Sequence, residues 1–361
     1  MLTNKIIISK NIWLAVFLAI IISLVILPLT MLLINPKPLK IPNGVDIKNG
    51  SRIFYRFLNN IKRENGILVI GTSETGNSLN GNNYYSILTK DEEFNRNVYA
   101  LGGAGRCANV YFPLIMDNPK AFKKLNLIYY INPTYWRKGL NNFNEAYFNR
   151  YLDSNFVSHV KSLIPNKGNY ERFMNEKQIV NSNINFILNR LIENFKSLYF
   201  NDLSLFLDKS KNDKKLKFNI NNKYDQNKLD SLKNKINLKF NVTEEFLKKN
   251  EDFPYIDKES DYQYEMLQSF IDICKDYQIN CTYYLGPFNE IYCSQKNRDI
   301  VADHKQVLKK IKTLLKNKKV DYIDGTDLSR ISGSFIDIQH ISEYGAYLTA
   351  IQIKKYYEKT K

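Results

Sequence analysis

Ser73, Asp337 and His340 are the residues whose types and order would allow covalent chemistry. A serine hydroxyl is a poor nucleophile until a base removes its proton. The candidate base, His340, stands in the run Asp337-Ile338-Gln339-His340-Ile341-Ser342-Glu343-Tyr344-Gly345. An Asp three residues ahead can hold the imidazole Nδ1–H, fix the tautomer and stabilise the imidazolium that forms as Ser73 attacks. Ser73 itself lies in Gly71-Thr72-Ser73-Glu74-Thr75-Gly76. There the glycine permits a sharp turn that presents both the hydroxyl and the Ser73 N–H to a ligand. Two more loops offer donors: bare backbone N–H groups in Gly102-Gly103-Ala104-Gly105, and a side-chain amide in Asn132-Pro133-Thr134-Tyr135-Trp136. One nucleophile with several converging donors is what acyl transfer requires. The other two histidines, His159 and His304, fall in lysine-rich helical stretches and read as surface residues.

These loops need a frame. Ile67-Leu68-Val69-Ile70, bounded by Gly66 and Gly71, is a continuous apolar run of the kind buried on both faces of a parallel sheet. Further strands are expected at Val98–Leu101, Leu127–Ile131, Cys281–Leu285 and Val320–Ile323. Helices are expected at Arg52–Ile61, from the glycines to Met116, and at Tyr262–Tyr277, Asp299–Leu315 and Ser342–Tyr357. Strands alternating with helices imply right-handed crossovers, so the fold class is α/β, a three-layer domain around a parallel sheet. In such sheets sites form beyond the carboxyl ends of the strands, where all the polar loops fall.

The catalytic domain reads as residues 66–139 and 260–361, preceded by a linker and entry helix at 35–65. Residues 140–259 interrupt the rhythm as a helical, Asn/Lys-rich insertion or cap. Gln178–Phe200 is its clearest helix, and Lys209–Lys239 reads as a solvated face. Residues 1–34 read as a tail and transmembrane helix. No charge occurs from Asn11 to Pro36, a stretch longer than the roughly 20 residues that cross a hydrocarbon core. The run ends in Leu29-Thr30-Met31-Leu32-Leu33, without a small-x-small exit, so the anchor is read as retained. Lysines flank both ends, so charge alone does not orient it; the chemistry places the body outside the cytoplasm.

Net charge is +16, from 52 basic and 36 acidic residues. Such a field favours anionic partners such as lipid headgroups or polyanionic polymers. Codon bias is a second source of it, because Asn, Lys, Ile and Tyr crowd the whole chain. No nucleic-acid-binding pattern is visible. Cys107, Cys274, Cys281 and Cys293 form no CxxC pair and match no zinc module; a Cys281–Cys293 bridge is open to them, and free thiols are the expected state. No metal, nucleotide or other cofactor is expected.

The order Ser, Gly, Asn and terminal Asp-x-x-His resembles the SGNH hydrolases. That resemblance makes Ser73 the nucleophile, Gly105 (or Gly103) and Asn132 oxyanion donors, and Asp337 and His340 the rest of the triad. Within the clan the chain looks most like the DltD family, the membrane-anchored proteins of teichoic-acid D-alanylation. The likeness rests on the N-terminal apolar run, the Gly-Thr-Ser-Glu block, Asn132 to Gly139, Leu285 to Tyr292 and the Asp337–Gly345 motif. It departs at Asn132, where that family usually has Ser, and in residues 140–260, where nothing matches. The resemblance implies a D-alanyl ester of a teichoic-acid-like polymer, handled beside a membrane-bound O-acyltransferase. It also implies substrate contacts from Thr72, Glu74, Tyr135 and Trp136. Two other functions share the same frame: an esterase or O-acetyltransferase of a surface glycan, and an inert tethered scaffold.

Overall fold

The computed structural model describes residues 10–26, 52–75, 83–102, 106–117, 119–136, 154–175, 261–296 and 298–359. The elements in chain order are α1 (Lys10–Ile21), α2 (Arg52–Arg63), β1 (Ile67–Gly71), α3 (Tyr84–Lys90), β2 (Val98–Gly102), α4 (Ala108–Asp117) and α5 (Pro119–Phe122). They continue with β3 (Asn126–Ile131), α6 (Ser154–Leu163), α7 (Lys167–Asn175), α8 (Asp261–Asp276) and β4 (Asn280–Leu285). The chain closes with α9 (Glu290–Lys296), α10 (Arg298–Asn317), β5 (Tyr322–Asp324) and α11 (Glu343–Lys359).

The five strands form one sheet in the order β2-β1-β3-β4-β5, with every pairing parallel. The inner strands β1 and β3 are buried on both faces, and successive residues join different cores because their side chains point to opposite sides of the sheet. Leu68, Ile70, Leu127, Tyr129, Tyr283 and Leu285 join the larger core with α2, α4, α8 and α10. Ile67, Val69, Ile128, Tyr130, Tyr284 and Ile323 join a second core with α3 and α11. The molecule is therefore an α/β three-layer domain, as the sequence implies. The chain leaves β1 toward β2 and returns on its other side as β3, so a crevice opens between the carboxyl ends of β1 and β3. Ser73 and Asn132 sit at those two ends.

Three helices enter their strands through one turn type. Gly66, Ile279 and Val320 donate backbone N–H to the carbonyls of Ile61, Cys274 and Leu315. The preceding Asn65, Gln278 and Lys319 take positive φ, which is the Schellman ending. Val320 thus caps α10, and β5 begins two residues later than its apolar run suggests.

Of the expected insertion, α6 and α7 are described. Phe173 of α7 stacks on Phe112 of α4 at 4.9 Å, and the Ser269 hydroxyl of α8 donates to the Leu163 carbonyl. The expected helix Gln178–Phe200 and the stretch Lys209–Lys239 lie outside the described residues. At the N-terminus α1 continues as a short π-helical turn, Ile22–Ile26. Among the described residues no helix is long and apolar enough to cross a membrane, and the end of the expected span, from residue 27 on, lies outside them. Four free thiols are present; Cys107, Cys274 and Cys293 are buried and Cys281 is half-buried.

Candidate active site

Ser73 opens a single 3-10 turn, Ser73–Thr75, directly after β1. Gly71 makes this possible: it takes φ +156°, and a Cβ there would stand 2.8 Å from the Tyr130 carbonyl oxygen. The turn is seated against β2 at Gly102, where a Cβ would fall 1.6 Å from Thr75 Oγ1. Tyr111 of α4 ties the two strand ends together. Its hydroxyl lies 2.6 Å from the Gly71 carbonyl and 2.8 Å from the Leu101 carbonyl, and accepts the Gly71 N–H at 3.1 Å. Sequence reasoning missed Tyr111, since nothing in a helical tyrosine announces a partner on a distant strand.

His340 arrives on the turn that leads into α11. Its Nε2 lies 2.6 Å from Ser73 Oγ, and its Nδ1 lies 2.6 Å from Asp337 Oδ2. The other Asp337 oxygen accepts the backbone N–H of Gln339 at 2.8 Å and of His340 at 2.6 Å. Burial works to raise the Asp337 pKa, but these bonds and the His340 charge win and hold it below the ordinary value. An ionised carboxylate only accepts, so Nδ1 carries the ring proton and Nε2 is left to accept from Ser73. Burial lowers the His340 pKa, yet the bond to Asp337, its charge and that of Glu74 raise it on balance.

The turn is held from a third side. Asn289 donates its amide N–H to the Asp337 carbonyl at 3.0 Å and its backbone N–H to the Ile338 carbonyl at 2.9 Å. This gives the Leu285–Tyr292 run its place in the site.

Asn132 follows β3 and caps the turn Pro133–Tyr135. Its side-chain carbonyl accepts from the Thr134 N–H at 2.8 Å and the Thr134 hydroxyl at 2.6 Å. The amide is thereby oriented, and Nδ2 donates to Glu74 Oε1. An amide nitrogen carries two hydrogens, so the second remains for an oxyanion. Thr134 Oγ1 also lies 2.9 Å from Gln339 Oε1, on the turn that carries Asp337 and His340.

Glu74 is 0% exposed, and its Oε2 accepts from the Thr72 hydroxyl. Trp136 is buried within the larger core. Of the residues expected to meet substrate, Thr72, Glu74 and Trp136 are therefore buried, while the Tyr135 side chain is outside the described part. The expected donors Gly103 and Gly105 also lie outside the described residues. His304, expected at the surface, is 0% exposed and stacks on Phe288 with ring centroids 4.0 Å apart. The lysines around it point outward from α10 while His304 occupies its apolar face. Among the described residues no His/Cys/Asp/Glu group is placed to hold a metal ion.

No protein-family model and no curated protein matches the chain.

Proposed function

We propose that the chain is a serine acyl-transfer enzyme of the cell envelope, similar to the DltD family and acting on a D-alanyl ester of a teichoic-acid-like polymer. The observation that carries this is the unbroken line from Ser73 Oγ through His340 to Asp337, with 2.6 Å at each step. Ser73 Oγ gives its proton to Nε2 as it bonds to the acyl carbonyl carbon, and the oxyanion collects on the Asn132 amide and the Ser73 N–H. His340 then returns the proton to the departing alcohol or thiol, leaving an acyl-Ser73 ester. An acceptor hydroxyl or water loses a proton to His340, attacks that ester, and Ser73 recovers the proton.

Membrane residence is part of the same proposal. It is supported by the run of exposed apolar side chains on the N-terminal helix, from Ile12 and Trp13 to Leu24, and by the uncharged stretch to Pro36. A membrane-bound O-acyltransferase and an anionic envelope polymer are the proposed partners.

Labelling of Ser73 by a fluorophosphonate, absent in Ser73→Ala, tests the chemistry. Loss of envelope D-alanine in a deletion strain, restored by the wild-type gene and not by Ser73→Ala, tests the acyl group. Normal polymer esterification in the Ser73→Ala strain would reject the enzymatic role. An esterase or O-acetyltransferase of a surface glycan would instead label normally and leave D-alanine unchanged.

A further inference from the structure

Glu74 is the charged group of the site that the mechanism above leaves unused. It follows the nucleophile directly and has no exposure to solvent. Isolating a carboxylate from water is costly unless donors satisfy it, and here both oxygens are engaged. Thr72 bonds Oε2 and the Asn132 amide bonds Oε1. The Asn132 carbonyl is itself held twice by Thr134. That amide can therefore point only one way, with its nitrogen at Glu74.

We propose that Glu74 is a positioning residue: it clamps Asn132 so that the second amide hydrogen faces the oxyanion, and it sets a second negative charge near His340. The inference rests on the acyl-transfer reading. Among the described residues the charged and titratable groups that bear on this pair are few. His340 interacts with Asp337 and Glu74. Glu74 interacts with His340 and Asp337, and the buried phenols Tyr84 and Tyr130 lie within its field. Burial raises the Glu74 pKa on balance and the Asp337 charge adds to that, while the attraction of His340 and the donor from Thr72 oppose it. In a shielded site a carboxylate acts on an imidazolium far more strongly than it would in water.

The test is the pH profile of fluorophosphonate labelling at Ser73 in the full chain. Glu74→Gln keeps an acceptor for Asn132 and loses the charge. Without that charge the imidazolium is less favoured, so the midpoint of the labelling profile moves to lower pH than in wild type. Glu74→Ala loses the clamp as well and slows labelling by about 100-fold above the midpoint, the order for one oxyanion donor. In an Asn132→Ala background the same change costs no more than about twofold, because the two residues act as one unit. A Glu74→Gln profile that superimposes on wild type, or Glu74→Ala and Asn132→Ala effects that multiply, would overturn the proposal. Circular dichroism checks that Glu74→Ala is folded, and the isosteric Gln variant decides the matter if it is not. Wild-type protein that fails to label would sink the acyl-transfer reading itself, which separates the two failures.

Discussion

Ser73 Oγ and His340 Nε2 lie 2.6 Å apart although 267 residues separate them in the chain. The sheet order accounts for this. Ser73 leaves the end of β1, and His340 follows β5 and its loop back over the carboxyl edge. The contact is made once the strands are in register and α11 has docked on the second core through Ala346, Tyr347, Ala350 and Ile353.

Base catalysis requires Nε2 to be unprotonated. Burial disfavours the imidazolium, but the bond and charge of Asp337 outweigh it and hold the His340 pKa above its usual value. Activity therefore rises with pH through a midpoint above about 6.5, the ordinary histidine value. Asp337→Asn removes the support, so the midpoint falls and the rate drops, on the order of 10⁴-fold as in serine-protease triads. Profiles of kcat/KM, or of fluorophosphonate labelling, check both directions. An Asp337→Asn midpoint equal to that of wild type would detach Asp337 from the base.

Asn132→Ala is expected to slow turnover about 100- to 1,000-fold through loss of an oxyanion donor. It also removes the acceptor of the Thr134 N–H, a buried donor whose loss of partner costs roughly 1–3 kcal/mol. Steady-state kinetics and a urea midpoint on the same variant read the two effects separately.

The frame was legible because buried parallel strands leave unbroken apolar runs, as Ile67–Ile70 and Leu127–Ile131 do. The juxtaposition of Ser73, His340 and Asp337 was legible because a glycine turn after such a strand and an Asp-x-x-His near the C-terminus are local patterns. The short helix Tyr84–Lys90 escaped because it has too few residues to show a period. The rest of what escaped was non-local. Glu74 reads as a substrate contact until β3 brings Asn132 beside it. His304 reads as solvated among lysines until Phe288, at the end of another strand, covers its ring.

Gly102→Ala is expected to unseat the Ser73–Thr75 turn. The added Cβ would stand 1.6 Å from Thr75 Oγ1 and 2.5 Å from the Thr75 backbone carbon. Truncating Thr75 clears the first clash and leaves the second, so Thr75→Gly does not rescue the variant. A stability loss of about 1–3 kcal/mol or more, with labelling of Ser73 reduced in parallel, is the outcome that urea titration and probe kinetics would record. Rescue by Thr75→Gly would place the strain elsewhere.

Tyr111→Phe removes one oxygen and keeps the packing. The Gly71 N–H loses its side-chain acceptor, and the two strand-end carbonyls lose the nearby hydroxyl. A loss of roughly 1–3 kcal/mol in unfolding free energy is expected. Because Gly71 sets the Ser73 turn, kcat should fall more than KM changes. An effect on stability with kcat intact would confine Tyr111 to a structural tie.

Lys354 tests how the helix that follows His340 is fastened. Its side chain is nearly inaccessible, and Nζ meets Asp91 Oδ2 at 2.9 Å and Glu93 Oε2 at 2.7 Å. Asp91 is the deeper partner: its side chain is fully inaccessible and its Oδ1 accepts the Glu93 N–H at 2.9 Å. Glu93 is exposed enough to turn to water. Removing the lysine therefore strands one carboxylate, at Asp91. Lys354→Met should cost about 3–5 kcal/mol, the order for a buried pair broken from one side. Adding Asp91→Asn removes the stranded charge while Oδ1 keeps its backbone donor, so the double variant should regain more than half of that loss. The two residues touch, so their effects are not expected to add. Urea midpoints for the two single variants and the double variant decide it. A double variant as unstable as the sum of the singles would show that Lys354 and Asp91 are not coupled, and that the loss in Lys354→Met has another source.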